Sequence, residues 1–125
     1  MCNERRSPRF FKTKTFTKLA AKARIPNAEL FRASLDLAQG KGDNLGGHVW
    51  KKRLSKNLYR SIVIEKTADW WFFVYLYAKQ DRENIDQAEE ASFKLLANQY
   101  AMLNDKRLGD MLAAKKILEI VDHGN

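Results

Sequence analysis

The sequence predicts an α+β domain in which a small antiparallel β-sheet has helices packed on one face. Two observations predict this class. Runs rich in β-branched and aromatic residues at 49–54, 58–66 and 70–79 are separated by only three residues each, which favours an antiparallel meander. Segments with helical apolar spacing lie before and after these runs. The 125 residues, 45% of them hydrophobic, fit a single domain over 1–125, with residues 1–8 expected to form a flexible basic arm.

The part of the chain before the meander is predicted to contain one strand and two helices. The strand is RFFKT at 9–13, and residues 14–23 carry apolar side chains on one helical stripe. A second helix follows and is expected to stop at Gly40. The segment GKGDNLGG at 40–47 holds four of the six glycines and is predicted to be a loop.

The part after the meander is predicted to contain two helices and a last strand. Asp86, with Glu89 three positions later, indicates a capping box that opens a long helix. A short helix from about Lys106 and a strand at 116–121 complete the fold. Residues at helical spacing predict the apolar side of the long helix, namely Ala88, Ala91, Leu95, Leu96, Met102 and Leu103.

The run WWFFVYLYAK at 70–79 is apolar on both sides, as is typical of a central strand. Side chains alternate between the two faces of a strand. Strict alternation places these residues together on one face: Trp71, Phe73, Tyr75, Tyr77 and Lys79. The other face then carries Trp70, Phe72, Val74, Leu76 and Ala78.

Charge points to a polyanionic partner. Lys and Arg number 23 against 15 Asp and Glu, so the net charge is +8 and the sequence pI is near 9.7. Such a field attracts nucleic acid first and an acidic protein segment second. Alternation places Lys51 and Arg53 on one face of their strand, and it places Arg60 among isoleucines. A cation there reaches the rim, pairs with a carboxylate or binds an anion, and a basic surface with interleaved tyrosines suits RNA.

Several other classes of protein do not fit the sequence. The single Cys2 forms no internal disulfide, and no apolar stretch approaches a membrane span or a signal-peptide core, so a cytoplasmic protein is expected. His48 and His123 are far apart in sequence and give no zinc-type ligand spacing. The residues alone leave open a magnesium site built from Asp and Glu, although most of these carboxylates suit helix starts and solvated faces, and no cofactor is expected.

Four segments, taken in order, resemble the RelE/HigB-like toxins of bacterial type II toxin-antitoxin systems, in the RelE/ParE superfamily. They are FKTKTFTKLAAKARI, LGGHVWKKRL, YRSIV and WWFFVYLYAKQDRENI, followed by a long helix and a short strand. The resemblance extends from about Arg9 to Val121, and its most specific element is AKQDRENI, similar to the family's A-K-x-E-R-x-N-I. The chain departs from the family at LSKNLYRS, where members commonly carry a glycine-rich loop of the kind R-x-G-x-G-K-S-G-G-Y-R.

The resemblance implies a RelE-like fold and a metal-independent endoribonuclease, or mRNA interferase. Such a toxin cleaves translated mRNA on the ribosome, inhibits translation and is silenced by a cognate antitoxin, through which the complex binds operator DNA. Attack of a ribose 2′-OH on the adjacent phosphate needs charge stabilisation and proton transfer. The catalytic residues implied are Arg60, Arg53 and Lys79. The implied RNA contacts are Lys51, Lys52, Lys56, Tyr77 and Arg82.

Two alternatives share the same fold. A gyrase-directed toxin of the ParE type poisons a topoisomerase and needs no ribonuclease site. A catalytically inactive relative acts only as an antitoxin-binding co-repressor. The shortened segment before Tyr59 indicates either a catalytic rim that is built differently or the inactive relative, because close backbone approach to RNA is easier with glycine.

Overall fold

The computed structural model of the protein describes residues 7–67 and 69–121. Most of the predicted basic arm, Cys2 and His123 lie outside these residues. Within them the chain forms strands and helices in the order β1 (Arg9–Thr13), α1 (Lys14–Ala23), α2 (Asn27–Ala38), β2 (Asp43–Gly46), β3 (Val49–Leu54), β4 (Tyr59–Lys66), β5 (Trp70–Ala78), α3 (Gln87–Tyr100), α4 (Asp105–Ala113) and β6 (Ile117–Ile120).

All of these strands join one sheet in the order β2-β3-β4-β5-β1-β6. The meander β3-β4-β5 is antiparallel, as predicted. β1 pairs with β5 in parallel, and β6 pairs with β1 in antiparallel orientation. β2 lies inside the segment predicted to be a loop, and its backbone pairs with β3. Its sequence, DNLG, lacks the apolar alternation that identifies a strand, because the strand is mostly solvent-exposed at the sheet edge.

The α+β class and a mostly antiparallel sheet are confirmed, but helices cover both faces of the sheet instead of one. On the α1 face, helices α1 and α2 pack through Phe16, Ala20, Leu30 and Leu37 onto Trp50, Val63 and Phe73. On the α3 face, helices α3 and α4 pack through Phe93, Ala97, Tyr100 and Leu108 onto Phe11, Ile62, Ile64 and Phe72. Both sides of β5 carry large apolar side chains, so both sides need cover from water.

A β-bulge in β5 changes which face the end of the strand presents. Phe73 and Tyr75 pair with consecutive residues of β4, so Val74 is an extra residue. Phe73 and Leu76 therefore pack on the α1 face, whereas Val74, Tyr75 and Tyr77 pack on the α3 face. The expectation that Tyr75 and Tyr77 share a face with Phe73 is wrong, because strict alternation requires an unbroken ladder.

The capping box of α3 is confirmed, but its predicted apolar side is only partly correct. The Glu89 amide donates to Asp86 Oδ1 at 2.8 Å, and the Asp86 amide donates to Glu89 Oε1 at 2.9 Å. Larger aromatic side chains on a neighbouring stripe turn the helix, so that it packs on the sheet through Phe93, Leu96, Ala97 and Tyr100, and Leu103 packs beside them just after the helix ends. The other predicted members, Ala88, Ala91, Leu95 and Met102, are exposed.

Candidate functional site

Three side chains of three neighbouring strands lie in a row on the α3 face. Arg53 of β3 lies opposite Arg60 of β4, and Arg60 lies opposite Tyr77 of β5. Like charges placed directly across a strand pair repel each other. The next row along the strands aligns Lys51 with Ile62 and Ile62 with Tyr75, so a third cation follows on the same face. An anion between these side chains would relieve the repulsion.

Arg60 is buried, with only 7% of its surface exposed, although it is always charged. Its Nη1 donates to the carbonyl oxygen of Asn57 at 3.0 Å and to that of Tyr59 at 3.3 Å. Both acceptors are neutral, and no carboxylate among the described residues pairs with this guanidinium. Arg60 is thus a buried cation whose charge is left without an ionic partner, which is costly unless an anion binds.

Tyr77 and Tyr75 form an aromatic surface beside Arg60, covered by Arg82. The two rings are 6.0 Å apart between centroids, and the Arg82 guanidinium lies 5.1 Å from the Tyr77 ring and 5.8 Å from the Tyr75 ring. The Tyr77 hydroxyl donates to the Glu83 carbonyl oxygen at 3.3 Å. Burial raises the pKa of Tyr77, while Arg60 and Arg82 oppose that rise. Tyr77 therefore keeps its proton at neutral pH.

Arg82 is held in place by the start of α3. It donates from Nη1 and Nη2 to the two carboxylate oxygens of Glu89 at 2.8 and 2.7 Å, and from Nη2 to the Tyr75 hydroxyl at 3.1 Å. Its hydrogen bond to Glu89 raises the pKa of Arg82, and the same bond lowers the pKa of Glu89. Arg82 must exchange part of this bidentate pair before it can bind a phosphate.

The Arg82–Glu89 pair predicts an acid-dependent loss of stability. Because its pKa is lowered in the folded state, Glu89 stabilises the fold above its ordinary value of 4.5 and loses this effect as the pH falls through the lowered value. Replacing Glu89 by Gln should reduce the free energy of unfolding near pH 7, and the difference from the wild type should narrow as the pH falls below 4.5 and through the lowered pKa of Glu89. Urea unfolding at neutral pH and at several acidic pH values measures it, with Glu83→Gln as the exposed control. A gap independent of pH would contradict the prediction.

The remaining predicted residues lie at different places around this row. Lys51 joins it and donates from Nζ to Asn84 Oδ1 at 2.7 Å. Lys52 points to the opposite face, where its Nζ lies 3.2 Å from Asp36 Oδ2. Lys56 lies in the β3–β4 turn, and Lys79 is exposed just after β5. The structure thus brings Lys51, Arg53, Arg60, Tyr77 and Arg82 to one face and leaves Lys52 on the other.

The β3–β4 turn takes the place of the glycine-rich loop and has an unusual backbone. Ser55, Lys56 and Asn57 have φ values of 54°, 54° and 73°, a left-handed conformation that glycine adopts most easily. The Glu29 carboxylate accepts a hydrogen bond from the Ser55 amide, and Arg60 donates to the Asn57 carbonyl. These two contacts hold the turn in a conformation that its sequence does not favour.

Ser55→Gly should stabilise the protein by about 0.5–1 kcal/mol. The change removes a left-handed Cβ clash worth roughly 1–2 kcal/mol, and the greater freedom of glycine in the unfolded chain offsets part of the gain. The midpoint of urea unfolding should rise. Asn57→Gly is the matched control and should change the midpoint less, because Asn tolerates this conformation. A lower midpoint in Ser55→Gly would contradict the prediction.

Sequence patterns miss three members of the site. Strict alternation assigns Tyr75 to the other face, because the bulge leaves no local signature. The spacing of Asp86 and Glu89 identifies Glu89 only as part of the capping box, although it also holds Arg82. Asn84 carries no signal besides its place in the AKQDRENI segment.

Residues 7–67 and 69–121 contain neither a metal-binding cluster nor a membrane-spanning helix. No group of three or more His, Cys, Asp or Glu side chains is placed to hold a metal ion. None of the helices in that part of the chain has the length and apolar character needed to cross a membrane.

Comparison with models of known protein families gives a match over most of the chain. A family model described as "RelE toxin of RelE / RelB toxin-antitoxin system" matches residues 8–120. The matched range contains all of the described strands of the sheet and the described helices on both of its faces. Neither the curated proteins nor the solved structures yield a match.

Proposed function

Since the chain belongs to the RelE toxin family of toxin-antitoxin systems, we propose that it is a ribosome-dependent endoribonuclease that cleaves translated mRNA in the cytoplasm and is inhibited by a cognate antitoxin. The observation that carries this proposal is the row of Arg53, Arg60 and Tyr77, in which two opposed cations, one of them buried without an ionic partner among the described residues, lie beside an aromatic ring. Phosphate groups and unstacked bases are the ligands that such a row suits.

The proposed reaction is attack of the ribose 2′-oxygen on the adjacent phosphorus. The new P–O2′ bond forms as the P–O5′ bond breaks, the 2′-hydroxyl loses a proton, and the departing 5′-oxygen takes one up. Arg60 and Arg53 stabilise the extra negative charge that develops on the phosphate oxygens. Lys79 supplies charge or the proton for the leaving oxygen.

Tyr77 acts in this scheme as a stacking and hydrogen-bonding group. Because burial raises its pKa, its hydroxyl is protonated at neutral pH and is poorly suited to remove the proton from the 2′-hydroxyl. Lys51 and Arg82 lie on the same face and contribute phosphate contacts, with Arg82 exchanging its Glu89 partner for RNA. Lys52 and Lys56 contact phosphates of the mRNA or of ribosomal RNA, farther from the cleaved bond.

Primer extension on a defined mRNA in a reconstituted translation reaction tests the proposal. Purified protein should produce cuts within translated codons when ribosomes are present and none when they are omitted. Addition of the cognate antitoxin should suppress the cuts. Folded protein that yields no cuts would overturn the ribonuclease proposal. A gyrase supercoiling assay would then separate a topoisomerase poison from an inactive antitoxin-binding relative.

A further inference from the structure

Two adjoining cavities open where β4 begins and β5 ends, beside the Arg53–Arg60–Tyr77 row. The first has a volume of about 340 Å³ and is lined by Leu58, Tyr59, Ala78, Lys79 and Gln80. The second has a volume of about 420 Å³ and shares Tyr59, Ala78 and Gln80 with the first. It continues to α1 at Leu19, Lys22 and Ala23. We call the pair the Tyr59 pocket.

Tyr59 is placed to act as the floor of this pocket. It lies opposite Ala78 across the strand pair and packs against the core of the α1 face, so part of its ring is covered and part borders both cavities. No other group within residues 7–67 and 69–121 forms a hydrogen bond with its hydroxyl. One side of the Tyr59 ring therefore packs against the core, and the other side is available to a ligand.

The chemistry around Tyr59 fits one nucleotide of a single strand. An aromatic ring and Leu58, which is 61% exposed, provide an apolar surface on which a base can stack. Gln80 offers both a donor and an acceptor to the edge of a base. Lys79 and Lys22 supply two cations against the single carboxylate of Asp81 in the lining, which favours a ligand with a phosphate backbone.

The pocket is continuous with the row that carries the proposed reaction. Tyr59 and Arg60 are consecutive and face opposite sides of β4, and Arg60 Nη1 lies 3.3 Å from the Tyr59 carbonyl oxygen. The surface that connects the two faces passes Leu58, just before β4, and Lys79, just after β5. The Lys79 amide donates a hydrogen bond of 2.9 Å to the Leu58 carbonyl oxygen. An RNA strand with its phosphate at Arg60 can therefore turn round this end of the sheet.

We propose that the Tyr59 pocket binds the base of a nucleotide flanking the cleaved phosphate, stacked on Tyr59 and read by Gln80. This proposal rests on the proposed ribonuclease function, because it assigns a second subsite to the same RNA strand. One base then lies on the α3 face beside Tyr77, and its neighbour lies on the α1 face beside Tyr59. The pocket would give the toxin a preference for the base at one position next to the cut.

Equilibrium binding to a fluorescent single-stranded RNA hexanucleotide tests the pocket. Each ribose of this RNA carries a 2′-O-methyl group in place of the attacking hydroxyl, so the RNA can bind but cannot be cleaved. Tyr59→Leu keeps an apolar side chain in the core but removes the aromatic face. The dissociation constant should rise roughly 5- to 100-fold, as expected for the loss of one stacked base. Tyr59→Phe should stay within about twofold of the wild type, because it keeps the ring. Thermal unfolding of each variant checks that it is folded.

Two further comparisons separate the outcomes. Gln80→Ala should change which positions are cut in the primer-extension assay, whereas Lys106→Ala, an exposed change on α4, should leave them unaltered. If Tyr59→Leu binds RNA as the wild type does, the pocket is overturned. It is also overturned if the variant loses only binding to the antitoxin, because the pocket then serves a protein partner. If Tyr59→Leu loses RNA binding but the wild type never cuts mRNA, the proposed function fails and the RNA subsite stands.

Discussion

Arg60→Met should reduce ribosome-dependent cleavage by roughly 10²- to 10³-fold, the effect typical of removing one group that stabilises transition-state charge. Met retains much of the length and apolar stem of Arg, so the variant removes mainly the guanidinium. The reason for the large effect is position. Arg60 is buried, lies opposite both Arg53 and Tyr77, and has only the neutral carbonyl oxygens of Asn57 and Tyr59 as acceptors among the described residues. Single-turnover cleavage on stalled ribosomes measures the loss directly.

The contacts of Arg60 with the β3–β4 turn give it a structural role as well, and controls must separate the two roles. Arg60→Lys keeps the charge but lacks the planar fork of donors, so it should recover only part of the cleavage rate. Lys106→Met is the control for removing a cation elsewhere, because this lysine is exposed on α4, and it should leave the rate unchanged. If Arg60→Met is folded and cleaves within about threefold of the wild type, Arg60 has no catalytic role and only supports the turn.

Phe72→Ala should lower the free energy of unfolding by about 3–5 kcal/mol, the usual cost of truncating a buried Phe to Ala. Phe72 has no exposed surface and lies in the centre of the sheet on the α3 face. Its ring stacks on Phe11 at 5.1 Å and contacts Tyr100 at 4.7 Å between centroids. One side chain therefore joins β5, the parallel strand β1 and helix α3, and its loss leaves a cavity between all three.

Urea unfolding measures this effect against two matched variants. Phe72→Leu keeps more of the volume and should cost less than Phe72→Ala. Leu95→Ala removes a side chain that is 64% exposed on α3 and should change stability by no more than about 0.5 kcal/mol. If Phe72→Ala and Leu95→Ala have similar costs, the packing of α3 on the sheet described above is wrong.

Local sequence is enough to predict the order and type of most elements of this protein. The three apolar runs are long, rich in β-formers and closely spaced, so local preference and short connections suffice to predict the meander. The capping box of Asp86 and Glu89 likewise depends on neighbours in sequence. The family can be recognised from the sequence for the same reason, because its motifs lie within short segments. The match of the family model over residues 8–120 confirms this assignment.

Which side chains meet depends on packing between distant parts of the chain. The Val74 bulge moves Tyr75 and Tyr77 to the α3 face, and its position depends on how β4 pairs with β5. The parallel pairing of β1 with β5 and the cover of both faces are also long-range contacts. Residue type gives a charge and a volume, but partners such as Glu89 for Arg82 are fixed only when the chain folds. The candidate site was therefore predictable as a set of cations, and its geometry was not.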